Sequence, residues 1–552
     1  MRLVRTALIL GLIPAVALAA DPAPVVKTKQ ELRKELRQKQ AAATKAGETK
    51  PAPKPAADLI RPSADPVALA RFIDEQIDRK LAEESITASP RSSDAEFLRR
   101  VSLDLTGVIP TAERAKQFLD SNDPDKRAKL VDELLASPLY GRHQADVWVP
   151  RLFPRDSANR FVLKEPFAQW FEKEFNANTP WDKLVTKLVT ATGSVEDNAA
   201  VTYFLANRSV DKLTDTVSQH FLGIQLQCAQ CHNHPFTGWK QNEYWGMATF
   251  FSHVQPENPK NANKGGDNSK IGVRETAART KLKDFFPEST KVVPAKFLGG
   301  PEPKITEGQP LRPILAGWLT SKENPYFARA MVNRTWAQLF GAGFVNPIDD
   351  MHEGNEPSHP ELLTGMAQAF ANGGFDLKQL YRTICLSQAY QRSSKPVSGN
   401  EKDDRLFSHM ALKVMAPEQL FDSLQQVNGP VAEAAKAKEK TKDQFGGLRD
   451  RFVQFFLAGA ERSNPTEYDS GIPQALRLMN GKIGNGARAF VKPGSTPAQI
   501  VEAMFLATLS RRPTPAETTQ MTAYVAKAAT PAEGYNDLLW VILNSSEFSM
   551  IR

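Results

Sequence analysis

The chain has 552 residues, 41% of them hydrophobic and 24% charged, with three cysteines, eight histidines and a formal net charge of +8. That length is enough for more than one well-buried core, and so few cysteines exclude a disulfide-stapled scaffold. The charge points away from nucleic acid once it is located: residues 1–57 carry 11 Lys and Arg against 4 Asp and Glu, a net of +7, and the rest is nearly neutral.

In chain order, Arg2 and Arg5 precede an apolar run over residues 8–18 and the small-residue site Ala17-Leu18-Ala19, the layout of a secretory signal over residues 1–19. Residues 20–64 are basic, poor in apolar side chains and end in Pro, Ala and Lys, the composition of a disordered spacer. No later stretch approaches the roughly 20 apolar residues that a membrane helix needs. The expectation is a soluble, exported protein, periplasmic or extracellular, with no membrane span.

From Asp65 onward the pattern is helical. Asp65-Pro66 reads as an N-cap and first turn, with Leu69, Ile73, Ile77 and Leu81 along one face. Ser93 and Glu96 form the sequence of a capping box, Asp123-Pro124 predicts a further helix start, and Ser137-Pro138 its end. Val210, Leu213, Val217 and Phe221 recur at spacings of three and four and lead toward Cys228, which places that cysteine at or just past a helix end. Residues 256–310 are a loop-rich connector in which residues 291–298 form the one candidate small strand or hairpin, closed by Gly299-Gly300. Helices resume near Leu311, with capping-box sequences at Ser358/Glu361 and Thr514/Glu517 and an apolar face of Leu538, Leu539, Val541 and Ile542 near the end. The fold class expected is mainly α: a helical domain over 65–255, the connector 256–310, and a helical partner domain over 311–552.

Cys228, Ala229, Gln230, Cys231 and His232 read Cys-x-x-Cys-His, the attachment motif of a c-type haem. Two thiols three residues apart fall within one helical turn and can both reach the porphyrin edge, while His232 would be the proximal iron ligand. Export and motif agree on the compartment. A zinc site from Cys228, Cys231, His232 and His234 is the alternative, although His232 and His234 are closer than zinc-binding histidines usually stand. A plain Cys228-Cys231 disulfide, with no cofactor, is another.

The segments VSLDLTGVIPTAERAKQFL, DKRAKLVDELLASPLYGRHQADVW and FLGIQLQCAQCHNHPFTGWKQNEYWGMATFF resemble the first domain of a secreted planctomycete family with a cytochrome-like domain of unknown function. NPYFARAMVNRTWAQLFGAGFVNPIDDMHEGNEPSHPELL, FDLKQLYRTICLSQAYQRSS, LSRRPTPAE and LLWVILNSSEF resemble the partner domain that follows it. The resemblance implies an exported, haem-associated protein and supplies no reaction. It also implies leucine at the place of Met247, which counts against a dedicated methionine ligand.

If haem is bound, the sixth ligand decides between electron transfer and small-molecule chemistry, and His220, His234, Met247 and His253 are the candidates. Tyr244, Trp245, Phe250 and Phe251 could wall a porphyrin, or could be ordinary core. In the second half, Arg329, Asn333, Arg334, Asp349, Asp350, His352, Glu353 and His359 form a candidate polar cleft, with the competing account that the arginines pair with Asp349 and Asp350 to fix a loop. Cys385, among apolar neighbours, reads as a buried thiol. No nucleophile elbow, phosphate loop or His-Glu-x-x-His is present, so no enzyme class is assigned. The leading function is an exported c-type haem protein in redox or electron-transfer work with an unknown redox or cell-surface partner. The alternatives are a non-catalytic secreted binding or scaffold protein, and a hydrolase using the polar cleft.

Overall fold

Helix formation follows local chemistry closely at several starts. In the computed structural model, which describes residues 65–153, 162–257, 268–276, 293–428, 447–457 and 485–552, the Asp65 carboxylate accepts from the Ala68 amide at 2.8 Å and opens helix Pro66–Glu83. Leu69, Ile73, Ile77 and Leu81 are buried along its inner face. Thr514 and Glu517 close a reciprocal capping box ahead of helix Pro515–Lys527. Ser137 ends helix Lys126–Ala136 and caps helix Pro138–Leu152 at the same time. The signal and spacer over residues 1–64 lie outside the described residues.

Three local expectations are corrected. The helix expected at Asp123 begins at Lys126, because the Asp123 side chain accepts from the Asp125 amide in a tight turn instead of capping a helix. The Ser358/Glu361 box does not form: His359 is the N-cap residue of helix Pro360–Asn372, Ser358 bonds the His359 ring, and Glu361 pairs with Arg79. Residues 293–298 contain no strand. The strands lie instead at Gly193–Ser194, Val254–Glu257 and Gly272–Glu275, a three-stranded antiparallel sheet with Gly272–Glu275 in the centre, and at Lys413–Val414 with Met550–Ile551.

The result is mainly helical, with 20 α-helices among the described residues, all within one unit, Arg61–Arg552. One hydrophobic cluster runs from Leu69 to Met410 and takes in Leu506; a second gathers Met415 to Ile551 with Leu103 and Ile109. Side-chain packing therefore crosses the connector and changes cluster near residues 410–415. Helix Asp94–Thr106 lies between the two, sending Phe97, Leu98, Val101 and Leu105 to the first and Leu103 to the second.

That helix also buries two arginines, which charge alone would place in solvent. Arg99 donates to the carbonyls of Thr508, Phe548 and Met550, and Arg100 to those of Tyr390, Arg392 and Arg552 and to Glu96. Their guanidinium groups thus satisfy backbone oxygens of residues 390–392, 508 and 548–552 that would otherwise be left unpaired in the interior. Burial pulls Arg99 down to about 9.

Candidate functional site

Helix Val210–Leu222 builds the approach to the cysteines. Its Val210, Leu213, Val217 and Phe221 are buried, and it stops at Gly223, which adopts the left-handed conformation (φ +69°). Only a residue without a side chain suits that place, since a Cβ there would lie 3.2 Å from the Met351 sulfur. Ile224 and Leu226 then dive into the core, and a 3-10 turn, Gln227–Gln230, follows. Ala229 points inward and is fully buried, whereas Cys228, Cys231 and His232 are exposed. In a 3-10 turn residues three apart eclipse one another, so the two free thiols rise on the same side.

Helix Gln241–Thr249 latches this turn from behind. The Gln241 side chain donates to the carbonyls of Gln230 (3.1 Å) and Cys231 (3.0 Å), and the Trp245 indole donates to Gln230 (3.1 Å). Asn233 accepts from the Gln241 amide at 3.0 Å, and the His234 amide donates to the Trp239 carbonyl at 2.8 Å. Neither Gln241 nor Asn233 carries a motif signal; only the i, i+4 spacing of Gln241 and Trp245 hints that both face one object.

The imidazole of His232 has a defined tautomer. Its Nδ1 lies 2.7 Å from the Asn233 carbonyl, which can only accept, so Nδ1 carries the proton and Nε2 keeps a free lone pair. His234, half-buried, accepts at Nδ1 from the Phe236 amide (3.3 Å). Burial, with His352 and His232 nearby, holds it below the ordinary histidine range, against the opposing pull of Asp350. Phe236 beside it is 61% exposed.

Of the other candidate ligands, Met247 is fully buried, His220 and His253 are 8% and 9% exposed, and the His220 ring bonds the Arg151 carbonyl. Tyr244, Trp245, Phe250 and Phe251 are likewise buried in the main core. Cys385 is fully buried, and desolvation pushes its thiol well above the ordinary range.

The polar residues of the second half divide into two groups. Asn333, fully buried, donates to the carbonyls of Val345 and Ile348 and accepts from the Val345 amide. Arg334 pairs with Asp349, reaches the Gln219 and His220 carbonyls, and stacks over Trp148 at 5.3 Å. Arg329 donates to Thr364, and His359 is buried between Phe344 and Phe407, where desolvation lowers its pKa to about 4. Asn333 and Arg334 hold the 345–349 loop in place, Arg329 ties its helix to helix Pro360–Asn372, and His359 is packed into the core. Asp350, His352 and Glu353 form the second group: the His352 Nε2 lies 3.6 Å from the Asp350 carboxylate, and its Nδ1 accepts from the Gly354 amide at 3.0 Å. Glu353 is exposed and, with Glu243, raises the pKa of Tyr326, after the larger effect of burial.

The loop is tied to the cysteine turn's own root. The Met351 amide donates to the Gly223 carbonyl at 2.9 Å, at the end of the helix that leads to Cys228. The structure therefore brings Asp350 and His352 into the electrostatic surroundings of His234, leaves Arg329, Asn333 and Arg334 as internal braces, and packs His359 among aromatic rings. Among the described residues, no group of three or more His, Cys, Asp or Glu side chains is placed to hold a metal ion.

Fold and turn together define a mainly helical protein with an exposed Cys-x-x-Cys-His turn braced from both halves of the chain. Residues 72–256 match the family model PSCyt2, described as a protein of unknown function (DUF1549), and residues 311–450 match PSD1, also described as a protein of unknown function (DUF1553). The chain carries these two domains in that order, and the names suggest a cytochrome-like family. No curated protein and no solved structure matches it. Among the described residues no helix is long and apolar enough to cross a membrane.

Proposed function

We propose that this is an exported c-type haem protein with a redox role, its haem carried on Cys228, Cys231 and His232. The observation that carries the reading is the arrangement of these three groups: two free thiols on one side of an exposed turn, and an imidazole whose Nδ1–H is spent on the Asn233 carbonyl so that Nε2 is available as a ligand. Attachment needs no oxidant. Cys228 and Cys231 would hold the group as thioethers, each S–H adding across one vinyl group with sulfur to one carbon and hydrogen to the other, and free thiols are what the turn offers. When bound, the haem supplies one-electron chemistry; the protein's part is to fix the ring's edge and orient its proximal ligand.

The hydrolase reading has less support, because Asp349 is paired with Arg334 and Asn333 is spent on the loop backbone, which leaves only Asp350, His352 and Glu353 of the candidate cleft outside bracing contacts. The test is a pyridine haemochrome spectrum and a haem-stained denaturing gel on protein exported from a host with cytochrome c maturation. The parent is expected to show c-type haem and Cys228→Ala/Cys231→Ala to show none. Loss of the signal in the parent, with a control cytochrome matured normally, overturns the reading.

A further inference from the structure

His232 stands between two peptides that are both tied to one residue outside the turn. Resting on the haem reading above, we propose that Gln241 is a positioning residue for the proximal imidazole: it clamps the chain on both sides of His232 and so decides which ring nitrogen is left for the iron.

The first side is the peptide that precedes His232. The Gln241 side-chain amide, whose nitrogen carries two hydrogens, donates to the carbonyls of Gln230 (3.1 Å) and Cys231 (3.0 Å). The second side is Asn233. The Gln241 backbone N–H donates to the Asn233 side chain at 3.0 Å, and because an N–H can only donate, the atom that faces it is the carboxamide oxygen. Asn233, held in this way by its side chain, offers its own backbone carbonyl to the His232 Nδ1 at 2.7 Å. Gln241 opens helix Gln241–Thr249, where backbone N–H groups find no partner within the helix, so its amide is free for this task. The Glu243 carboxylate accepts from the Lys240 amide at 3.1 Å, which fixes the helix start from which Gln241 acts.

The clamp has a chemical consequence. In water a neutral histidine ring prefers its proton on Nε2, the nitrogen that the motif assigns to iron. The Asn233 carbonyl draws the proton to Nδ1, leaves the Nε2 lone pair free, and makes the imidazole a more basic ligand. A more basic axial ligand favours ferric over ferrous iron and lowers the reduction potential. Trp245 supplies the contrast: its indole donates to the Gln230 carbonyl, one peptide further from His232, and reaches neither the Cys231 carbonyl nor Asn233.

The experiment reads the tautomer in the haem-free full chain and the midpoint potential in the matured full chain, for the parent, Gln241→Met, Asn233→Ala and Trp245→Phe. Nitrogen-15 spectra of the histidine rings at about pH 8, where an ordinary histidine is neutral, are expected to show the His232 proton on Nδ1 in the parent. Gln241→Met and Asn233→Ala are each expected to lower the ratio of that tautomer to the Nε2–H form about fivefold, the worth of one net hydrogen bond, and to raise the potential. Trp245→Phe is expected to move both less. Asn233 is exposed, so its variant tests the same path should Gln241→Met not fold. A parent with the His232 proton on Nε2, an unchanged tautomer ratio in Gln241→Met and Asn233→Ala, or an equal shift in Trp245→Phe, which makes Gln241 a general brace, overturns the proposal. Those outcomes leave the haem reading standing. A matured parent without covalent haem overturns that reading, and with it the role of Gln241, even where the Nδ1–H tautomer is found.

Discussion

The turn at 227–240 and the loop at 345–359 are both irregular, both rich in chemistry-bearing side chains, and they spend them in opposite ways. In the turn, the Gln230 and Cys231 carbonyls and the Asn233 side-chain oxygen accept from Gln241 and Trp245, which frees Cys228, Cys231 and the Nε2 of His232 to face solvent. In the loop, Asn333 and Arg334 are consumed in holding Val345, Ile348 and Asp349, and His359 is walled in by aromatic rings. A dense run of polar residues therefore marks a reactive surface only when something else holds the backbone. Where the polar side chains do the holding, the run is structural.

Removing a brace should cost far more stability than removing a presented group. Arg334→Ala strips the partner from Asp349 in a largely buried pair, and a loss of about 3–5 kcal/mol in urea unfolding is expected. Asn333→Ala leaves the Val345 and Ile348 groups unpaired in the interior, with an expected loss of about 2–3 kcal/mol by the same measurement. If either variant unfolds like the parent, the loop is not braced as described.

Acid should act on the braced side of the comparison. His220 and His359, and His143 under Gly107, are held down to about 4 by burial, against 6.5 for an ordinary histidine. The unfolded chain binds these protons more tightly than the folded one, so their contribution is complete above pH 6.5 and is lost as the pH falls toward 4. Asp215, raised to about 6 chiefly by burial, works the other way: its contribution is present below 3.8 and is lost as the pH rises through 6. Melting temperature should fall steadily from pH 6.5 to 4, and replacing His359 with a neutral residue of similar size should flatten part of that slope.

Smaller effects belong to the turn. Trp245→Phe removes one hydrogen bond to Gln230 while keeping the ring, and about 1 kcal/mol is expected together with faster amide exchange at residues 228–234. Cys228→Ala/Cys231→Ala, at exposed positions, should change the stability of the haem-free protein by about 0.5 kcal/mol or less. A large loss there would mean that the cysteines are structural.

The same contrast explains how far the sequence could be read. Periodicity placed the stripes of helices Pro66–Glu83 and Val210–Leu222, and the caps Asp65 and Thr514 work as their residue types dictate. Ser358 failed as a cap because a neighbouring imidazole and the Phe344 carbonyl claim it, and Asp123 because a tight turn uses it first. These competitors are local, one to fourteen residues away, and only the Glu361–Arg79 pair depends on a distant partner; a capping pattern alone does not say which nearby group wins. The Cys-x-x-Cys-His motif was legible because its chemistry is contained in five residues. Its latch was not, since Gln241 and Trp245 are ordinary helix residues until the turn is folded against them, and the burial of Arg99 and Arg100 is explained only by carbonyls at the far end of the chain.

The central claim is tested most directly by intact-mass spectrometry under denaturing conditions on the full chain exported from a host with cytochrome c maturation, followed by peptide mapping. The proposed haem attachment predicts a mass increment of one haem, carried on a single peptide that contains both Cys228 and Cys231 and lost in the double alanine variant. An unmodified mass, or one lowered by two hydrogens as in a Cys228–Cys231 disulfide, in cells that mature a control cytochrome, would contradict it.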